Sequence, residues 1–135
     1  MDTRDATCSC GQLTATVDGD PVRVSACHCL ACQRRTGSAF GFQARFPRER
    51  VRTTGEAHEY TRISDAGEAR TFSFCPECGA TVYYLVASAP EVIAIPVGAF
   101  ADPGFPAPRA SVYERRRHPW VQLPANVRRY EKDPA

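Results

Sequence analysis

The sequence predicts a mainly β protein whose loops are held by metal-binding cysteines. Three observations carry this. Short apolar–polar alternations recur, bounded by Gly and Pro. No stretch keeps a long helical period. Seven cysteines fall in three tight groups.

In chain order, "QLTATVDGDPVRVSACHC" alternates on both sides of "DGDP". Leu13, Ala15 and Val17 share one face, as do Val22, Val24 and Ala26, so the run reads as two strands turning at Gly19–Pro21. "LACQRRTG" is a short helical turn ended by Gly37. "AFGFQARFP" is a strand with Phe40, Phe42, Ala44 and Phe46 on one face. "AHEYTRI" and "ARTFSF" flank "SDAGE" as a hairpin. "ATVYYLV" and "EVIAIPVGAF" follow as strands around "ASAPE", with Pro96 marking an edge strand or a bulge. "ADPGFPAPRA" is too rich in Pro and Gly for regular structure, and "SVYE" adds a final strand.

The 135 residues, 43% hydrophobic, suit a single domain over 1–135 with its own core. No apolar run reaches the roughly 18 residues of a membrane span. "MDTRDATCSCG" is polar, acidic and lacks the apolar stretch of a secretory signal, which predicts a cytoplasmic protein with no membrane partner. In a reducing compartment seven cysteines, an odd number, read as metal ligands rather than disulfides. The formal charge of +2 treats each cysteine as neutral. Seven thiolates and two zinc ions change it by −7 + 4 = −3, to −1, so the charge argues for no nucleic-acid partner.

Cys8 and Cys10 form CxC, Cys27, Cys29 and Cys32 form CxCxxC, and Cys75 and Cys78 form CxxC before Gly79. In an extended strand, residues two apart present their sulfurs together. A CxxC followed by glycine curls around a metal, with Gly79 free to adopt positive φ. Seven sulfurs divide as four plus three: a closed structural zinc and an open one whose fourth position is left to water or substrate. Spacing leaves two partitions, because Cys29 and Cys32 also form a CxxC that pairs equally well with Cys75 and Cys78.

"CSCGQLTATV", "CHCLACQRRTGSAFG", "FCPECGATVYY", "VIAIPVGAFADP" and "HPWVQLPANVRRYE" occur in this order. Together they resemble the glutathione-dependent formaldehyde-activating enzyme family, which includes the centromere protein V-like domain. The resemblance implies a β-tent of antiparallel sheets pinned by zinc. It implies a structural zinc on Cys8, Cys10, Cys75 and Cys78, and a second zinc on Cys27, Cys29 and Cys32, which three thiolates and an exchangeable ligand should hold less firmly than four. The activity implied is that of a carbon–sulfur lyase joining glutathione, or another thiol, to a small aldehyde, as an S-hydroxymethylglutathione synthase does. A metal in an open site favours the thiolate form of an incoming thiol.

Arg34, Arg35 and Ser38 follow the triplet and are candidate substrate contacts. The guanidinium groups suit the carboxylates of a glutathione-like molecule, against the alternative of a solvated turn. His28 lies between two cysteines, faces away from their sulfurs and reads as a packing or hydrogen-bonding residue, whereas His58 and His118 are candidates to close the second site. Phe40 belongs to the core face of its strand, and Trp120 is a core anchor or pocket wall. Arg115, Arg116 and Arg117 with Tyr113 and Trp120 make a run too short and too diluted by acid for a nucleic-acid platform. Methionine sulfoxide reductase-like redox chemistry needs a cysteine outside the ligand motifs, and none stands outside them. The alternative to an enzyme is a zinc-stabilised protein-interaction module with two closed sites.

Overall fold

The computed structural model describes residues 2–133. Its strands are β1 (Thr3–Thr7), β2 (Thr14–Asp18), β3 (Arg23–Cys27), β4 (Gly41–Pro47), β5 (Val51–Thr54), β6 (His58–Ile63), β7 (Ala69–Phe74), β8 (Thr81–Val86), β9 (Val92–Pro96), β10 (Ala110–Val112) and β11 (Arg128–Arg129). The single α-helix among the described residues, α1, covers Leu30–Thr36. The chain is mainly β, and no described helix is long and apolar enough to cross a membrane.

The described residues form two compact units, one from 2–22 and 44–103, the other from 23–43 and 104–133. In the first, β1, β2 and β5 make an antiparallel three-stranded sheet with β2 central. The second half of β4 is followed in strand order by β9, β8, β7 and β6. The alternation in "LTATV" is realised: Leu13, Ala15 and Val17 are fully buried, while Thr14 and Thr16 are half-buried. They join Ala6, Phe46, Val82 and Ile95 in the core, where Phe46 meets Phe100 edge-on at 6.0 Å between centroids. β6 and β7 form the expected hairpin around "SDAGE". β7 and β8 form another, whose register slips at Ser73/Phe74, immediately before Cys75. Such a bulge re-aims the residues that follow it.

In the second unit β10 lies between β3 and β11 and runs parallel to both. Parallel pairing needs a long connection rather than a tight turn. The parallel pairing of β10 with β3 and β11 departs from the antiparallel arrangement expected for the sheets. Phe42 packs edge-on to Phe105, and Gln43, buried, donates from Nε2 to Ser25 Oγ at 3.1 Å.

Three expectations are corrected. β2 and β3 do not pair; β2 lies between β1 and β5, and β3 takes β10. Alternation identifies a strand without identifying its partner, and Val22, on the expected apolar face, is 62% exposed. Pro96 marks neither an edge nor a bulge. β9 lies between β4 and β8, and Pro96 is its last residue, capping a 3-10 turn over Val97–Phe100. Trp120 is not a core anchor: it is 70% exposed, its ring edge-on to His118.

Candidate metal centres and their surroundings

Four sulfurs converge in the first unit. Those of Cys8, Cys10, Cys75 and Cys78 all lie within 4.8 Å of one another. The separations Cys8–Cys10 and Cys10–Cys75 are both 3.6 Å. A tetrahedral ion with zinc–sulfur bonds of about 2.3 Å would set sulfurs about 3.8 Å apart, so the donor set fits zinc in kind and in spacing.

Two similar loops present these sulfurs. After β1 the chain turns back at once: Cys8 N–H donates to Leu13 O and Gly11 N–H to Cys8 O. The CxC pair therefore lies in a turn and not, as expected, in a strand. The β7–β8 loop repeats the pattern, with Cys75 N–H donating to Ala80 O and Gly79 N–H to Cys75 O. Gly79 takes φ +80°, as the spacing predicted. Backbone N–H groups point at the sulfurs, Leu13 at Cys8 and Glu77 at Cys75, both at 3.3 Å. Gln12 Nε2 adds a donor to Cys75 at 3.0 Å.

These donors favour thiolate. For Cys75, burial alone would raise the pKa. The Gln12 amide and the N–H groups of Cys78 and Glu77 outweigh it and draw the thiol down to about 6. Cys78 is lowered too, chiefly by the Ala80 N–H. In Cys10 the Gln12 N–H pulls downward, but the neighbouring sulfurs of Cys8 and Cys75 prevail and push it up to about 11. The donors around Cys75 and Cys78 favour the thiolate form that a divalent cation binds, and a bound cation would displace the remaining thiol protons.

Gln12 is also clasped by Glu56, donating to its carbonyl at 2.7 Å and accepting from its N–H at 2.9 Å. Gly55 makes this clasp possible. It has φ +97°, and a Cβ there would stand 2.0 Å from Gln12 O. Gly55→Ala is therefore expected to destabilise the protein by about 2–4 kcal/mol, from left-handed strain plus displacement of the Gln12 loop. Urea unfolding with the metal-to-protein ratio measured alongside checks this. Both stability and metal retention fall.

In the second unit the sulfurs of Cys27, Cys29 and Cys32 also lie within 4.8 Å of one another, and no histidine or carboxylate among the described residues joins them. Cys27 ends β3 beside Val112 of β10. Cys29 is the N-cap of α1, its Sγ accepting from Cys32 N–H at 3.3 Å. Gly37, in left-handed conformation, ends that helix as expected. Cys27 and Cys32 are buried with Val112 and Tyr113, and Cys29 is half-buried against them. Hydrogen bonds to Cys29 and Cys32, then burial, raise the Cys27 pKa. Cys32 is pulled down by Cys27 but raised overall by Cys29 and burial, with Arg35 opposing.

The other predicted contacts separate. Arg34 is exposed. Arg35 is half-buried, and its Nη2 and Cys32 Cβ both flank Gly41, 3.2 Å and 3.3 Å from where a Cβ would stand. Ser38 is exposed and donates to Phe40 O at 3.0 Å, closing a turn. His58 lies on β6 with its ring against Phe74, and His118 Nε2 pairs with Gln33 Oε1 at 2.9 Å. Tyr113 is buried and offers no stacking face.

His28 packs and hydrogen-bonds as expected, while its partners Ser111 and Glu114 were not foreseen from the sequence. His28 is fully buried, 2.9 Å from Ser111 Oγ and beside the Phe40 ring. Ser111 gives its single proton to Glu114, so His28 donates from Nε2. Burial lowers the His28 pKa, which favours the neutral ring. Glu114 also accepts from Arg117 and Arg129. Burial would raise its pKa, but the Ser111 hydrogen bond and the two guanidinium groups hold it below the ordinary carboxylate value. A depressed carboxylate contributes stability that is complete above its unfolded pKa and is lost as pH falls through the folded one. Glu114→Gln is expected to cost about 1–2 kcal/mol at neutral pH, discounted for the part-exposed arginines. The difference from wild type should close below pH 4.5, the ordinary value. Urea midpoints across that range check it.

Comparison with known proteins assigns the chain. The family model described as glutathione-dependent formaldehyde-activating enzyme matches residues 3–116, which include all seven cysteines. A crystal structure of a Rhodobacter sphaeroides protein shares the fold at a TM-score of 0.57 and 21% identity, covering 76% of this chain and 90% of that one. No curated protein sequence matches. With its motifs in order and the family model spanning most of its length, this chain belongs to the glutathione-dependent formaldehyde-activating enzyme family.

Proposed function

We propose that residues 1–135 act as one zinc-dependent enzyme domain of the carbon–sulfur lyase type, with a thiol such as glutathione and a small aldehyde as reactants. The observation that carries this reading is the unequal division of sulfurs: a set of four in one place, and a set of three in the other that no histidine or carboxylate among the described residues joins. Cys8, Cys10, Cys75 and Cys78 hold the structural zinc. Cys27, Cys29 and Cys32 hold a second, more exchangeable zinc, with one position left for substrate. Zinc bound there supplies Lewis acidity that favours the thiolate form of the substrate.

The chain's own residues do the rest. Cys27 and Cys32 sit in a buried wall that limits water. His28, Ser111 and Glu114 brace the segment between β3 and α1, so the three sulfurs keep their spacing. In the reaction a carbon–sulfur bond forms between thiol and aldehyde carbon. The carbonyl π bond opens, and the thiol proton ends on the oxygen; breakdown is the reverse. The cytoplasm, where glutathione is abundant, is the compartment that fits this chemistry.

Cobalt substitution tests the proposal. Glutathione added to the cobalt-loaded protein is expected to shift the visible absorption of one of two cobalt ions. An unchanged spectrum would remove the basis for thiol chemistry and leave the zinc-stabilised interaction module. That second reading draws on the exposed Leu30 and Trp120, 49% and 70% exposed.

A further inference from the structure

Gly41 poses a question its backbone does not answer. It is buried, and its φ lies outside the left-handed range, so no conformational demand selects glycine there. Space does. A Cβ at Gly41 would stand 3.2 Å from Arg35 Nη2, 3.3 Å from Cys32 Cβ and 3.3 Å from Gln43 Oε1. The bare α-carbon is thus the place where a guanidinium, a cysteine of the triplet and a carboxamide oxygen meet.

Gln43 supplies the second observation. It is 6% exposed, and its Nε2 is tied to Ser25, which fixes the orientation of the carboxamide. Its Oε1 is buried with no hydrogen-bond partner. This fixed, open acceptor and the Arg35 guanidinium flank the same point over Gly41, so the acceptor's partial negative charge favours the cation on that side. Arg34, next in sequence, is exposed and has no such seat.

We infer that Gly41, Arg35 and Gln43 form a specificity-determining unit in which Arg35, seated over Gly41, reads a carboxylate carried by the thiol substrate. The inference rests on the proposed thiol chemistry at Cys27, Cys29 and Cys32. It adds the substrate feature being read and the residues that read it. The substrate class is a thiol whose carboxylate lies within reach of a guanidinium when its sulfur is at the triplet. Arg35 is a binding residue; Gly41 and Gln43 are positioning residues. A planar fork matches a carboxylate in a way that a lysine ammonium does not.

The test uses the cobalt-loaded full chain and two probes of similar size, 3-mercaptopropionate with a carboxylate and 2-mercaptoethanol without one, read by visible absorption. Wild type is expected to bind the carboxylate-bearing probe about tenfold more tightly. Arg35→Lys and Gly41→Ala should each bring that ratio near one. Gly41→Ala keeps the arginine and all polar groups, so it carries the test should the Arg35 variant fold poorly. A wild-type ratio near one overturns the inference and leaves the thiol reading intact. Equal weakening of both probes in Arg35→Lys overturns it too, because Arg35 would then act only on the charge of the cysteine site. A spectrum that neither probe alters overturns the thiol reading itself, and the inference falls with it.

Discussion

Replacing Cys75 with serine is expected to strip metal from the four-cysteine set and to lower the melting temperature more than any other change at either site. Cys75 is fully buried and lies 65 residues from Cys10, whose sulfur it approaches at 3.6 Å. A metal there joins the turn after β1 to the β7–β8 loop, and a link closing so long a span removes much of the unfolded chain's freedom. The hydroxyl of serine is a poor zinc ligand, and it leaves the donors from Gln12 and Glu77 without their thiolate. A fall on the order of 10 °C is expected. Calorimetry with and without a chelator checks it. The two proteins should differ as prepared and converge once metal is removed; a gap that survives the chelator would locate the effect in packing instead.

Cys29→Ser should do the opposite. Cys29 is half-buried, and among the described residues its group gathers three sulfurs. Loss of one ligand is expected to cost at least about 100-fold in aldehyde–thiol turnover, beyond the range seen when outer partners of a metal are removed. The thiol-dependent cobalt spectrum should disappear with it. The melting temperature should move by only a few degrees, because α1 keeps its left-handed cap at Gly37 and serine is itself a good N-cap. A large loss of stability with turnover preserved would exchange the roles of the two cysteine sets.

What could be read from the chain follows from how local each signal is. The β6–β7 hairpin is announced by "SDAGE" between two β-rich runs, and the buried face of β2 by Leu13, Ala15 and Val17. β1, β5 and β11 were not readable. "TRDAT", "VRTT" and "RR" are short and polar, and they become strands only through the neighbours they pair with. The cysteine groups were legible as groups, while the residues that tune them were not. Gln12 reaches a sulfur 63 residues away, and nothing in "CGQLT" predicts it. Gly55 resembles any turn glycine until Gln12 O stands where its Cβ would be. One signal was available and unused. Arg35 is three residues from Cys32 and Arg34 only two, and on a helix the three-residue spacing shares a face.

The two cysteine sets differ in how much chain must be organised before they exist. Cys27, Cys29 and Cys32 lie within six consecutive residues, so an unfolded or nascent chain already offers them together. Cys10 and Cys75 meet only after a 65-residue span has closed. A ligand that binds the unfolded chain nearly as well as the folded one adds little to the folding equilibrium. Raising free metal should therefore stabilise the fold through the four-cysteine set and hardly at all through the triplet. In assembly the triplet can be loaded first and the four-cysteine set last, as the step that reports a finished fold.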